Sequence, residues 1–262
     1  MNRIDERFAK VKADGRKALI TFLTVGDPNI EVSEKAIYTM QEEGVDLIEL
    51  GVPFSDPAAD GPVIQRADER ALAQGVDIFK VFELVRKIRN NVEVPMVFLL
   101  YYNVMVQYGI EKFFKRCQET GVDGLIIPDL PYEESDEIKE YTEKYGVYQI
   151  SLVSPTSKDR IKNIAKDAKG FLYCISSLGV TGEKSSFVTN FDEFVGTIKK
   201  YTDVPACVGF GVSNGRQVKE LTKYFDGAIV GSAIVKSIAT GEGVEERINN
   251  LREKIKDLKS GL

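Results

Sequence analysis

The 262-residue chain contains no histidine and no tryptophan. Without histidine, Ser-His-Asp and Cys-His nucleophilic catalysis, imidazole bases and His-ligated zinc are all excluded at once. Any acid–base work falls to carboxylates, lysine, tyrosine or cysteine. Cysteine is scarce: Cys117, Cys174 and Cys207 form no CxxC pair and are odd in number. They read as unpaired thiols of a reducing, cytoplasmic compartment. No stretch approaches the roughly 18 apolar residues of a membrane helix. The charged segment Met1 to Asp14 has no apolar run, so no signal peptide is read there. Lysine plus arginine number 35 against 40 acids, a net charge of −5, which argues against nucleic acid or anionic membrane as main partner. No cluster has metal-ligand spacing, and no metal site is read.

What is present is alternation. Eight short apolar runs recur along the chain: Ala18–Phe22, Leu47–Leu50, Met96–Leu100, Leu125–Ile127, Tyr148–Leu152, Phe171–Ile175, Ala206–Val208 and Ala228–Val230. They lack polar alternation, as strands covered on both faces do. Helical patterns lie between them, such as Val244, Ile248, Leu251, Ile255 and Leu258. Ile4, Phe8 and Val11 predict an extra helix before the first strand. Glycine stands before several runs, in Gly44-Val45-Asp46, Gly121-Val122-Asp123 and Gly146-Val147, where a helix end needs a left-handed residue. Pro95 and Pro205 are expected at the first positions of two strands. A doubly wound sheet would alternate in the same way. The absence of a linker and the late position of the glycine loops favour α/β of the (β/α)₈ barrel type, one domain over 1–262, with a short helix at Ala233–Ile238 after the eighth strand.

In such a barrel, chemistry gathers where strands run out into βα loops. Glu49 interrupts the run Leu47-Ile48-Glu49-Leu50. A carboxylate there is expensive to bury unless it is paired or used, and no basic residue stands at a comparable strand end. Burial would lift its pKa toward neutrality, which suits a group that gives and takes a proton. The following loop carries Asp56 and Asp60. Asp56-Pro57 reads as a turn, and Asp60, further out, is the better catalytic candidate. Gly209-Phe210-Gly211-Val212-Ser213 and Gly231-Ser232 read as a phosphate cradle of backbone N–H groups and a helix N-terminus, with no lysine or arginine in either. Gly179-Val180-Thr181-Gly182-Glu183-Lys184 has lid character. The loops at 55–61 and 179–186 lack apolar anchors and are expected to be mobile in the free chain, leaving Asp60 poorly placed and Lys184 open to trypsin.

The run Leu50-Gly51-Val52-Pro53-Phe54-Ser55-Asp56-Pro57-Ala58-Ala59-Asp60-Gly61-Pro62-Val63-Ile64-Gln65 resembles the signature of the tryptophan synthase alpha-subunit family. Leu23-Thr24-Val25-Gly26-Asp27-Pro28, Tyr101-Tyr102-Asn103, Ile127-Pro128-Asp129-Leu130-Pro131, Gly179-Val180-Thr181-Gly182 and Gly209-Phe210-Gly211 follow in that family's order, so the resemblance spans essentially the whole chain. It implies retro-aldol cleavage of indole-3-glycerol phosphate to indole and glyceraldehyde 3-phosphate. No cofactor is implied in this subunit, and the implied partner is a beta subunit in a heterotetramer of two alpha and two beta chains. By matching position, Glu49 and Asp60 fall on the catalytic acids. Gly182, Phe210, Gly211, Gly231 and Ser232 fall on the phosphate site, and Phe22, Leu99, Ile126 and Tyr173 near the indole pocket. Val63 stands where threonine is usual, Val104 where proline often follows the asparagine, and Lys184 where arginine is common. The rival readings are an isomerase, a Schiff-base aldolase, or a catalytically weak subunit that mainly activates its partner.

Overall fold

A computed structural model describes residues 2–175, 190–209 and 211–262. The chain begins α1 (Arg3–Ala13), β1 (Ala18–Thr24), α2 (Ile30–Glu42), β2 (Leu47–Gly51), α3 (Pro62–Ala73), α4 (Ile78–Ile88) and β3 (Met96–Leu99). It continues α5 (Tyr102–Tyr108), α6 (Ile110–Thr120), β4 (Gly124–Ile126), α7 (Asp136–Tyr145), β5 (Tyr148–Gln149), β6 (Ser151–Val153), α8 (Lys158–Asp167) and β7 (Leu172–Ile175). The last elements are α9 (Phe191–Lys199), β8 (Ala206–Gly209), α10 (Gly215–Leu221), β9 (Gly227–Val230), α11 (Ser232–Ala239) and α12 (Val244–Lys259).

The nine segments form one sheet in the order β5-β4-β3-β2-β1-β9-β8-β7-β6, and every pair in it is parallel. β5 and β6 lie at opposite ends of that order yet are separated in the chain by Ile150 alone, whose N–H bonds Leu125 O at 2.8 Å. They are two halves of one stave, the first paired with β4 and the second with β7. The ring is therefore an eight-stave barrel of the expected (β/α)₈ type. The break in the run read as Tyr148–Leu152 reflects stagger: a tilted stave meets its two neighbours at different heights.

Alternate residues on each strand face two different cores. Leu19, Leu23, Ile48, Leu50, Phe98, Leu125, Cys174 and Val208 join the large layer between strands and helices. Ala18, Ile20, Leu47, Val97, Ile126, Ile150, Phe171, Tyr173, Cys207 and Ile229 fill the barrel interior. Both sets are apolar, which is why the strands read as unbroken hydrophobic runs. Ile4, Phe8 and Val11 of α1 belong to the interior set, and Phe8 packs against Phe171 with ring centroids 5.7 Å apart. The predicted extra helix thus plugs the N-terminal mouth of the barrel and leaves the other mouth for chemistry. Pro95 and Pro205 stand one residue before β3 and β8 instead of opening them, and their carbonyls still accept ladder bonds from Ile48 and Leu172.

The helix-to-strand turns carry more than their glycines. Gly44, Gly121 and Gly146 take the expected positive φ, at 74°, 82° and 67°. Two residues on, Asp46 accepts the Leu19 N–H at 3.0 Å and Asp123 accepts the Met96 N–H at 2.9 Å. Asp226, just before β9, does the same for Ala206 at 2.9 Å. Each aspartate thus ties its own strand to the start of the neighbouring one. Cations then compensate the charge: Arg16 grips the buried Asp46 twice at 2.8 Å, Arg3 meets the buried Asp123 at 2.6 Å, and Lys199 meets the half-exposed Asp226 at 2.6 Å.

Candidate active site

The interior parity that places Leu47 in the barrel also places Glu49, two residues further along β2. Its side chain is 1 % exposed and its Oε1 has no hydrogen-bond partner. Burial alone pushes its pKa up to about 8. Among the described residues no cation pairs with Glu49, so the ion pair that would have made it a structural residue is not found there. Phe22 of β1, Leu99 of β3, Ile126 of β4 and Tyr173 of β7 share the inward parity, so the expected pocket residues converge on the interior and its upper rim. Phe22 and Leu99 pack with Ile64, Ala67 and Val235 as an apolar floor beneath α3 and α11.

Two interior glycines make room for this set. A Cβ at Gly51 would stand 2.5 Å from Phe22 Cζ, and one at Gly209 would stand 2.5 Å from Tyr173 Oη. Those are distances no real side chain keeps, so the two aromatic rings occupy space that only glycine leaves free. Tyr173 is buried, and its phenol is held well above its ordinary pKa by burial, then by the nearby Glu49 and Asp60 carboxyls.

Asp60 is 8 % exposed and immediately precedes Gly61, the N-cap of α3. Its Oδ2 accepts from Tyr101 Oη at 2.7 Å. Burial raises its pKa, and the Tyr101 hydrogen bond opposes that rise. Asp56 is exposed; its side chain accepts from its neighbour Ser55 at 2.6 Å and its carbonyl accepts the Ala58 N–H at 2.8 Å, the turn role expected of it. The 55–61 loop, read as lacking apolar anchors, is held by polar contacts to a residue outside it. Tyr101 Oη also accepts the Ala59 N–H at 2.9 Å, and the Phe54 ring stacks on the Tyr101 ring at 5.0 Å. The loop is fixed through a residue 41 positions away, a partner that local composition does not reveal.

Gly211 adopts φ 83° after β8, and Gly231 opens α11, with Ser232 as its first residue and no side-chain cap. The first-turn N–H groups of α11 thus have no side-chain cap, the arrangement in which a helix N-terminus suits an anion. Gly182, Phe210, Lys184 and the 179–186 loop lie outside the described residues. Sequence reading missed Asp68 on the inner face of α3. It is 5 % exposed, with a pKa pushed up to about 8 by burial first and then by the charge of Asp60. Among the described residues no group of three or more Cys, Asp or Glu is arranged to hold a metal ion, and no helix is long and apolar enough to cross a membrane.

Fold and site together define a class: a (β/α)₈ barrel with buried carboxyls over an apolar pocket, flanked by a helix N-terminus without a side-chain cap. The family model for the tryptophan synthase alpha chain matches residues 8–262. The tryptophan synthase alpha chain of Thermoanaerobacter sp. (strain X514) is 48 % identical over 262 residues, covering 100 % of both chains. Among solved structures, Mycobacterium tuberculosis tryptophan synthase superposes with a TM-score of 0.89 at 34 % identity, covering 99 % of this chain and 98 % of that one. Tryptophan synthase subunit alpha of Legionella pneumophila gives 0.84 at 34 % identity, covering 98 % and 99 %. The chain belongs to the tryptophan synthase alpha chain family. It is a lyase of tryptophan biosynthesis that cleaves indole-3-glycerol phosphate and supplies the indole to a beta subunit.

Proposed function

We propose that Glu49 and Asp60 carry the cleavage between them, Glu49 moving the proton and Asp60 balancing charge. The observation that carries this is the buried, unpartnered Glu49 carboxyl among the inward-facing residues. Held protonated through neutral pH, it gives its proton to indole C3. It then takes the proton of the hydroxyl on the adjacent side-chain carbon as the carbon–carbon bond breaks. The bonding pair returns to the indole ring, and the hydroxyl carbon becomes the aldehyde of glyceraldehyde 3-phosphate. Positive charge grows at the indole N–H as C3 is protonated, and the Asp60 carboxylate stabilises it there.

Phe22, Leu99, Ile126 and Tyr173 would hold the indole ring. Gly211, Gly231 and Ser232, with Gly182 and Phe210, would hold the phosphate through backbone N–H groups and the α11 dipole, which positions the bond to be broken. No lysine lies on any described strand, so acid–base cleavage is favoured over a Schiff-base aldolase mechanism. The reaction as written needs no cofactor in this subunit. The chain works as one cytoplasmic domain, and two alpha and two beta chains assemble as a heterotetramer.

An indole-release assay on the purified chain, with and without a beta subunit, tests the reading. Asp60→Asn should lower turnover at least about 100-fold, because a neutral amide cannot balance the charge. Asp56→Asn, altering an exposed turn, should stay within about threefold of the parent. The reverse order of damage would show that the wrong loop acid has been chosen.

A further inference from the structure

Tyr101 directly precedes α5 as its N-cap, and its side chain is buried. Three features of the β2–α3 loop meet on it. The Phe54 ring stacks on its ring at an interplanar angle of 22°. Its phenol oxygen accepts the Ala59 N–H at 2.9 Å, and its phenol proton goes to Asp60 Oδ2 at 2.7 Å. A phenol has one proton, and the amide occupies the acceptor side, so the direction of donation to Asp60 is set by the loop itself. A phenol bonded to a carboxylate makes a charge-assisted bond, and both side chains here are buried, where such bonds are strongest.

We propose that Tyr101 is a positioning residue for the cleavage reaction, fixing Asp60 and the loop that carries it over the barrel mouth by donating to the carboxylate while accepting from the Ala59 amide. The proposal rests on the reading of Asp60 as the charge-balancing acid. Among the described residues, the titratable groups within electrostatic reach of Asp60 are Tyr101 itself, Asp68 of α3 and Tyr173 of β7. Of these, Tyr101 is the group whose proton is directed to the Asp60 carboxyl, at 2.7 Å. Its own phenol is shifted upward by burial and by Asp60, so it remains a donor across the working range. The hydrogen bond favours charged Asp60 against the burial that disfavours it. Removing the phenol oxygen therefore raises the pH at which Asp60 ionises.

The test compares the parent chain with Tyr101→Phe, each assembled with a beta subunit, for kcat and KM of indole-3-glycerol phosphate cleavage across pH. Phenylalanine keeps the ring stack with Phe54 and loses only the oxygen. The expected result is a kcat lower by about 10- to 100-fold with KM within about threefold, and an acid limb moved to higher pH. Carboxyl carbon NMR of the free chain, with Asp60 assigned by its loss in Asp60→Asn, should show Asp60 ionising at higher pH in the variant. Should Tyr101→Phe fail to fold, a fluorinated tyrosine at position 101 keeps the shape and strengthens the donor, and Asp60 should then ionise at lower pH. An unmoved Asp60 titration overturns the proposal, as does a uniform loss of rate with an unmoved acid limb. If Asp60→Asn itself keeps the parent rate, the reading of Asp60 falls, while the titration still decides the contact with Tyr101.

Discussion

A carboxyl between Leu47 and Gly51 on the inner side of β2 loses its hydration and gains no cation among the described residues in return. The resulting cost is also the source of its usefulness, since a proton held to about pH 8 is available to a carbon that needs one. Glu49 was legible in the sequence because a charge inside an apolar strand run has no ordinary explanation. Asp68 was not, because on an amphipathic helix an aspartate reads as part of the wet face. It lies instead on the buried face of α3 with Ile64 and Ala67, which pack against Phe22. Asp68 makes a testable contribution to stability. Its pKa is raised from 3.8 to about 8 on folding, so the unfolded chain releases the proton first as pH rises. Native stability is therefore lost progressively between about pH 4 and pH 8 on account of this group. Asp68→Asn should melt higher than the parent at pH 8, and its advantage should shrink by more than about 3 °C on going to pH 5. Parallel melting curves at the two pH values would show that Asp68 is ionised in the fold.

The elements were legible where a pattern repeats and obscure where a partner is distant. All eight apolar runs became strands or halves of one, and the 4,3 spacing of α12 and the Ile4, Phe8, Val11 stripe of α1 were sufficient to place both helices. The Gly-Val-Asp repeat was visible too, but only the glycine had a local reason. The aspartate's reason is a backbone N–H on the neighbouring strand, about 27 positions away in both cases. Asp123 is the strongest case. It accepts from Met96 and Arg3 and faces Arg89, whose side chain is 11 % exposed and whose pKa is pulled down to about 10 by burial. Asp123→Ala leaves that guanidinium uncompensated and should cost about 3–5 kcal/mol in urea unfolding, with indole release by the folded fraction retained. A loss below about 1 kcal/mol would mean that the clamp contributes little to the barrel.

Taken as one body, the barrel divides its tasks between its ends. The N-terminal mouth is closed by α1 and bound by charged clamps, while the C-terminal mouth gathers a buried acid whose Oε1 has no hydrogen-bond partner, a loop acid held by Tyr101, and the start of α11 without a side-chain cap. Alternation and the absence of a linker gave the barrel, and the absence of histidine directed attention to its carboxyls. The division itself could not be read, because it depends on which strands become neighbours. The central claim is that Glu49 supplies the proton, and Glu49→Gln in the indole-release assay addresses it most directly. Glutamine keeps the shape and removes the titratable group. The account predicts indole formation lower by about 10²–10⁴-fold below about pH 8, with a melting temperature no lower than that of the parent. In the parent, turnover should fall as pH rises through about 8. A folded Glu49→Gln chain that releases indole at a rate comparable to the parent would contradict it.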